Sequence, residues 1–409
     1  MIELIKKKYL LYLIFFLSLI VSYIFGENSS GGSKYDFLIT KKYIDLFSLD
    51  LNSGIQVFKD DKQSHFPFFY IFISYLNNLL GVKLVDYLYI ITSSFIPLIF
   101  YKILKKRFSN SNNNILFVLS IVIFLSPYFR SSAVWLTNDN FALLFFLFSI
   151  NSFFNIKIDS QNYFKHIILC FFFLILASYI RQYYSLFFIF YFFSVMQKLR
   201  LKEIFYVFVF NFILSLPALF WIFFIFEVEG FKTGFYWGFD YIFNLLVFTS
   251  LFFFYSIPFI LNKYSFEKFR NNILKEKKKY ITILFFVFSL IIFYDIPELQ
   301  RSGGIFYKLS QFTLLNLFFF FSSIGLIILF FLNDKNLQNL IIYLTLILAF
   351  PFILIYQKYY DPLIYILLLT LINSKYLDEL INKKEININL IFIYYLSFLI
   401  GTNYYYFQN

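Results

Sequence analysis

Polar segments between the long apolar runs of this chain hold the side chains that could do chemistry. The first segment, residues 26–80, is rich in acids, and Asp36 is its leading candidate. A carboxylate can act as the general base on an acceptor hydroxyl. Later segments bring cations, which can hold a departing phosphate group. These cations are Arg181, Lys232, Arg301 and Lys358. The pattern predicts group transfer from a lipid that carries a phosphate.

Further polar residues complete the candidate set, and most have a plainer alternative. Asp139 begins a helix and could be only a cap, because an acid in the first turn favours the helix dipole. Arg181 and Gln182 lie between two apolar runs, where a charge is paired, lines a cavity or snorkels to the interface. Trp237 could equally belong to the aromatic belt of a membrane protein. His65 could contact a sugar or a phosphate.

The amino-acid composition indicates the class of protein to which these residues belong. Of the 409 residues, 60% are hydrophobic and 14% are charged. Soluble domains are about 45–50% apolar and about 25% charged. The composition therefore predicts a polytopic membrane protein and excludes a soluble, disordered or fibrous chain. One cysteine and two histidines exclude an internal disulfide and a cysteine metal site, and they argue against a Ser/His/Asp triad.

The apolar runs predict an all-α fold with about 13 transmembrane helices and a cytoplasmic N-terminus. The run at residues 66–80 is ambiguous. If it lies at the interface, the large basic loops fall on the side of the N-terminus, as the positive-inside rule requires. The net charge of +12 is then mostly cytoplasmic anchoring. The basic run at residues 263–279 is interpreted as a face for lipid headgroups, and no nucleic-acid partner is expected.

Residues 26–80 then form a long outer loop that carries interfacial helices. Residues 35–51 have the spacing of an amphipathic helix with one apolar face. The apolar residues of that face are Phe37, Ile44, Phe47 and Leu51. Pro67 is expected to begin the second interfacial helix. The first apolar run, residues 9–25, is interpreted as an uncleaved span, with a secretory signal peptide as the alternative.

Several stretches resemble a known family in content and order. They are KYDFLITKKYI, HFPFFY, LSPYFRSSAVWLTNDNFALLFF, SYIRQYYSLFF, GFKTGFYWGFDYIFNLLVFTSLFFFYSIP and QKYYDPLIYILL. The chain resembles the GT-C class of membrane glycosyltransferases. Within that class it is most similar to the dolichyl-phosphoglucose α-1,2-glucosyltransferase family. Asp36 takes the acidic place of the family's Asp-Glu motif, where Phe37 replaces the Glu, and Arg181 and Gln182 match its Arg-Gln pair.

The resemblance implies one integral membrane domain over residues 1–409 that acts as a hexosyltransferase. It would move a hexose, with glucose favoured, from a polyprenyl-phosphate donor to a lipid-linked glycan or another acceptor, with inversion. Asp36 would be the general base. Arg181, together with Lys232, Arg301 or Lys358, would hold the donor phosphate. No cofactor is expected, and a divalent metal held by Asp36 and other acids is the alternative.

The active site is expected to face outward from a bacterial cytoplasmic membrane, or into the lumen if the membrane is that of the endoplasmic reticulum. The partners are the lipid donor, the acceptor and membrane lipids. Two rival functions stay open. A transporter or flippase of lipid-linked sugars predicts charges deep within spans and broken helices. A structural subunit of a membrane complex predicts no concave polar site.

Overall fold

The computed structural model describes residues 8–61, 63, 66–157, 159–196, 199–225, 240–261, 263–297, 303–313, 316–334, 336–350 and 354–408. This part of the chain is helical throughout and contains no β-strand. In chain order the helices are α1 (Lys8–Phe25), α2 (Ser33–Leu49), α3 (Leu51–Asp60), α4 (Phe68–Leu80), α5 (Val82–Arg107), α6 (Asn113–Ile121), α7 (Pro127–Val134), α8 (Asn138–Phe153), α9 (Tyr163–Ile180), α10 (Phe187–Met196), α11 (Leu201–Phe220), α12 (Tyr241–Ile260), α13 (Lys263–Lys275), α14 (Lys277–Phe293), α15 (Ile305–Phe312), α16 (Asn316–Leu332), α17 (Leu337–Leu348), α18 (Leu363–Leu369), α19 (Lys375–Asn382) and α20 (Ile388–Gln408).

Within the described ranges, five helices are long and apolar enough to cross a membrane. They are Lys8–Phe25, Val82–Arg107, Tyr163–Ile180, Leu201–Phe224 and Tyr241–Ile260. A sixth candidate is a pair of helical segments, Asn113–Leu125 and Pro127–Val134, which meet at 65°. These helices are compatible with the membrane protein that the composition predicts. The count of about 13 spans stays a prediction.

The chain divides into two compact units. The first unit takes Met1–Arg107, Leu116–Tyr236 and Tyr395–Asn409, and the second takes Phe108–Ile115 and Trp237–Tyr394. In the first unit, α8 and α9 pack along each other. Their facing residues are fully buried, and Ala142 and Ala177 are small enough to let the two backbones approach closely. Ser149 near the end of α8 donates to the carbonyl of Cys170 near the middle of α9 at 2.8 Å, so the two helices run antiparallel.

The segment predicted as the outer loop also belongs to the first unit. Helix α2 runs from Ser33 to Leu49 and buries Ile44 and Phe47, as the spacing predicts. Leu51, in contrast, is 50% exposed and begins α3. The cause is Asp50, whose extended backbone ends α2 and whose side chain accepts a hydrogen bond from the backbone N–H of Ser53 as the cap of α3. Placement of this segment outside a membrane stays a prediction.

The second unit is organised around α12. Most of α12 is buried, and α16 packs along it. Gly325 allows this contact, because a Cβ there would lie 1.9 Å from the carbonyl oxygen of Thr249. Amide side chains join other segments to this core: Asn244 of α12 donates to the carbonyl of Phe350 at 2.9 Å. Uncharged hydrogen bonds thus hold the interior of this unit.

Candidate functional site

A bidentate ion pair joins Arg130 of α7 to Glu27, which follows α1. Arg130 Nε donates to Glu27 Oε1 at 2.9 Å, and Nη2 donates to Oε2 at 2.7 Å. Nη1 donates to Ser18 Oγ at 3.0 Å, and Nη2 also donates to Ser22 Oγ. The two charged side chains are only 7% and 14% exposed. Fork-to-fork pairs of this kind are among the stronger hydrogen-bonded contacts in proteins.

The setting of Glu27 favours its ionised form. Burial opposes ionisation, but the hydrogen bonds and charge of Arg130 outweigh it, so the pKa of the Glu27 carboxyl lies below its usual value. Asn403 of α20 adds a longer contact, with Nδ2 at 3.4 Å from Glu27 Oε1. All three nitrogens of the Arg130 guanidinium have acceptors. This pair is therefore suited to anchoring α1 to α7.

The region around the Glu27–Arg130 pair also contacts the start of α2, which carries Asp36. Trp135, which ends α7, donates from Nε1 to the backbone carbonyl of Glu27 at 2.7 Å. The ring of Phe37 lies 5.8 Å from the Trp135 ring. Asp36 is in the first turn of α2 and is partly buried. The candidate base therefore lies on a helix whose start is held against α7.

A second ion pair joins two residues that the sequence analysis singled out. Arg181 Nη2 lies 2.6 Å from Asp139 Oδ1. Asp139 is in the first turn of α8, and Arg181 ends α9. Because the two helices are antiparallel neighbours, the start of one meets the end of the other. Among the alternatives that the sequence left open for Arg181, the structure shows the ion pair. The Arg181 side chain is 10% exposed and the Asp139 side chain is 23% exposed.

Hydrogen bonds order the turn that carries Asp139. Thr137 precedes α8, and its Oγ1 donates to Ser132 Oγ at 2.9 Å and lies 3.3 Å from Asp139 Oδ2. The backbone N–H of Asn140 donates to Ser132 Oγ at 3.1 Å. Tyr89 of α5 donates from its hydroxyl to the carbonyl of Thr137. The Asp139 carboxylate is thus placed by a buried polar network.

A cavity of about 580 Å³ lies in the first unit, close in sequence to this pair. Residues from α9, α11 and the turn after α9 line it, and the lining is mostly apolar. Its polar side chains are Ser178, Tyr179, Gln182, Ser185, Asn211, Ser215 and Trp221. Gln182, which lines the cavity, is the residue that directly follows Arg181 in the chain. The volume is within the usual range for ligand pockets, about 300–1,000 Å³.

Asn211 is the most buried amide of this lining. It lies within α11, is 9% exposed, and donates from Nδ2 to the carbonyl of Val207 at 2.7 Å. Its Oδ1 accepts no hydrogen bond from the residues that the structure describes. A buried polar atom in an apolar helix is costly unless a partner reaches it. Asn211 is therefore a candidate contact for a ligand with a hydroxyl group or for water.

The structure brings together some of the predicted site residues and leaves others untested. Asp139, Arg181 and Gln182 lie together, and Asp36 is on α2 of the same unit. Lys358 belongs to the second unit, in the turn Gln357–Tyr359, with its ammonium 5.4 Å from the centre of the Tyr356 ring. Four predicted residues lie outside the described part of the chain. They are His65, Lys232, Trp237 and Arg301.

The sequence analysis missed Glu27 and Asn211. Glu27 had a signal, because it is the first acid after the first apolar run. Asn211 also had one, since an amide in the middle of an apolar run is unusual within a span. In the described ranges, no group of three or more His, Cys, Asp or Glu side chains could hold a metal ion.

Comparison with known proteins adds no relative. No protein-family model, no curated protein and no solved structure has a significant match to this chain. Function is therefore argued from the site itself.

Proposed function

We propose that this chain is an integral membrane hexosyltransferase that uses a polyprenyl-phosphate sugar as donor. The observation that carries the proposal is the apolar cavity of about 580 Å³ whose lining includes Gln182, next to Arg181. A polyprenyl-phosphate sugar is apolar along its chain and anionic and polar at its head. An apolar cavity lined by the residue next to Arg181 would suit the chain, with the guanidinium as the candidate partner of the phosphate. The resemblance in the Arg-Gln pair agrees with this use of Arg181.

The phosphate would bind Arg181 in exchange for Asp139. A guanidinium forms paired hydrogen bonds with phosphate as readily as with carboxylate. In the absence of donor, Asp139 compensates the charge of Arg181 and holds its orientation. When a phosphate arrives, its greater charge competes for the same nitrogens. Asp139 would then be a positioning residue for Arg181.

Asp36 would serve as the general base. The acceptor hydroxyl gives its proton to the Asp36 carboxylate while its oxygen attacks the anomeric carbon. The bond from that carbon to the phosphate oxygen breaks, and polyprenyl phosphate leaves with the electron pair. One displacement of this kind inverts the anomeric carbon. The leaving phosphate would be stabilised by Arg181.

The proposal includes a placement in the membrane. Residues 1–409 would form a single functional domain of about 13 spans. Residues 26–80 would form an outer loop, so that Asp36 faces the extracytoplasmic side of a bacterial cytoplasmic membrane. Support comes from the five long apolar helices and from the basic loops that the positive-inside rule gathers on the opposite side.

The test incubates the purified protein with polyprenyl-phosphate hexoses as donors and a lipid-linked glycan as acceptor. The release of free polyprenyl phosphate is measured. We expect release by the wild type and its loss in Asp36→Asn. Asp45→Asn is the matched control, because Asp45 is an exposed acid on the same helix. Loss in both variants, or in neither, would remove Asp36 from the role of base. No release from any donor and acceptor would contradict the proposed function.

A flippase of lipid-linked sugars is the second candidate, and broken helices favour it. α6 continues into a 3-10 turn and meets α7 at a 65° bend. A further 3-10 turn, Gln182–Leu186, follows α9, and a π-helical turn, Trp221–Ile225, ends α11. Interrupted helices are typical of transporters. Translocation of a fluorescent lipid-linked sugar across vesicles, without release of the sugar, would establish this alternative.

A further inference from the structure

An apolar groove opens on α14 of the second unit, beside α16. Its volume is about 520 Å³. The residues that α14 contributes to its rim recur every three or four positions, so they share one face of the helix. They are Ile281, Leu284, Phe285, Phe288 and Ile291. Phe320 and Ser323 of α16 line the other side.

The rim consists of exposed large apolar side chains above a buried floor. Phe285 is 72% exposed and Phe288 is 59% exposed, whereas Val287 at the floor is 2% exposed. Contiguous exposed apolar surface marks a place where something apolar binds. A groove with a packed floor and an open rim can take a narrow apolar ligand along its length.

Two lysines stand at one end of the groove. Lys277 and Lys278 precede Ile281 by four and three residues, so they lie on the same face, one turn earlier. Both are exposed. The neighbouring acid, Glu276, is 3.2 Å from the ammonium of Lys279. In the part of the chain that the structure describes, no ion pair involves Lys277 or Lys278.

We infer that this groove binds one acyl chain of an anionic phospholipid, with the lipid phosphate on Lys277 and Lys278. From Ile281 to Ile291 the rim advances by ten residue steps, which is about 15 Å along a helix. That length is about half of the ~30 Å hydrocarbon core, the depth of one leaflet. The site is independent of the proposed transferase activity and requires only that α14 lies in a bilayer.

Geometry and charge both place the lipid headgroup at the lysine end of the groove. Side chains of a helix lean toward its N-terminus. The ammonium groups of Lys277 and Lys278 therefore extend away from the groove, where a headgroup would lie. Lysines at a membrane surface attract acidic lipids. A zwitterionic lipid would fill the groove equally well but would gain little at the lysines.

The experiment is native mass spectrometry of the purified full chain, titrated with phosphatidylglycerol and with phosphatidylcholine of identical acyl chains. The wild type should bind phosphatidylglycerol about tenfold more tightly or better. Lys277→Gln with Lys278→Gln should abolish the preference. The control, Lys383→Gln with Lys384→Gln, removes the same charge from an exposed turn after α19 and should keep it.

The groove itself is tested by two variants that leave both lysines in place. Ser323→Leu adds bulk to the groove wall, and Phe285→Ser removes an exposed rim contact that has little part in folding. Each should weaken binding of both lipids, with the preference for the anionic one unchanged. Equal affinity of the wild type for the two lipids would overturn the inference. So would an equal loss in the control pair, or unchanged lipid binding in both groove variants.

Discussion

The two buried ion pairs of the first unit use the same chemistry in different surroundings. Arg130 and Glu27 meet through two parallel hydrogen bonds, and serine hydroxyls accept further hydrogen bonds, Ser18 from Nη1 and Ser22 from Nη2. Arg181 and Asp139 meet beside the residue that lines the large cavity. The carboxylate is also more accessible in the second pair, with a side chain 23% exposed against 14% for Glu27.

The difference indicates separate roles for two arginines that look alike in the sequence. The Glu27–Arg130 pair is the less exposed of the two, and it joins the residue after α1 to α7. The residue that follows Arg181, Gln182, lines a cavity of ligand size. An anionic ligand that replaced Glu27 would break the link between α1 and α7. We therefore expect the first pair to contribute mainly to stability, and under the proposed function the second pair would bind the donor.

The largest effect should follow from breaking the closed pair. Arg130→Met leaves the Glu27 carboxylate buried without its cation, which costs about 3–5 kcal/mol in comparable cases. Chemical unfolding of the detergent-solubilised protein would measure the loss. The double variant Glu27→Gln with Arg130→Met should recover part of it, because no uncompensated charge stays buried. Additive losses would argue that the two residues do not act as a pair.

Removing the second arginine should affect activity more than stability. In Arg181→Gln we expect polyprenyl-phosphate release to fall by about 100-fold or more, the usual loss when a group that stabilises a leaving oxyanion is removed. The loss of unfolding free energy in Arg181→Gln should be smaller than the loss in Arg130→Met, because the Asp139 carboxylate can still reach solvent. Arg181→Lys should keep part of the activity. A stability loss as large as that of Arg130→Met, at unchanged activity, would make Arg181 structural as well.

The cavity should discriminate donors by chain length. Ala218→Leu adds bulk to the α11 wall of the cavity, and we expect the KM for a long polyprenyl donor to rise by about tenfold, within the range of one to two lost methylene contacts. A donor with a short prenyl chain should be little affected. The ratio of the two KM values is the measurement. Equal effects on both donors would place the chain outside this cavity.

The smallest effect concerns pH. The pKa of Glu27 is lowered in the folded protein, so its ionised form contributes stability above its unfolded pKa of about 4.3. That contribution is lost as the pH falls through the lower, folded value. Melting temperatures of the wild type should therefore fall more steeply below about pH 4.3 than those of Glu27→Gln. Parallel curves would show that Glu27 titrates alike in both states.

Some of this site was within reach of the sequence. Apolar runs that begin near Thr137 and His166 located α8 and α9, and a short connection favours an antiparallel arrangement of two such helices. The start of α8 and the end of α9 are then expected at the same end of the helix pair, but only the folded chain shows that Asp139 and Arg181 meet there. The predicted helix over residues 35–51 also emerged, although Asp50 ends it two residues early by capping α3.

Other parts required the folded chain. Glu27 and Arg130 are 103 residues apart, and no local pattern links the first turn after α1 to α7. The cavity depends on how α9 and α11 diverge, which apolar periodicity does not encode. Asn211 was hidden for a related reason, because the sequence shows that it is within an apolar run but not which face it occupies.

The most direct test of the account is photo-crosslinking with a polyprenyl phosphate that carries a diazirine near the phosphate end of its chain. Labelled positions are mapped by mass spectrometry on the reconstituted wild-type protein. The account predicts labels on the cavity-lining parts of α9 and α11 and on the turn that follows Arg181, all suppressed by an excess of unlabelled polyprenyl phosphate. Labels elsewhere, or labels that the competitor does not suppress, would contradict it.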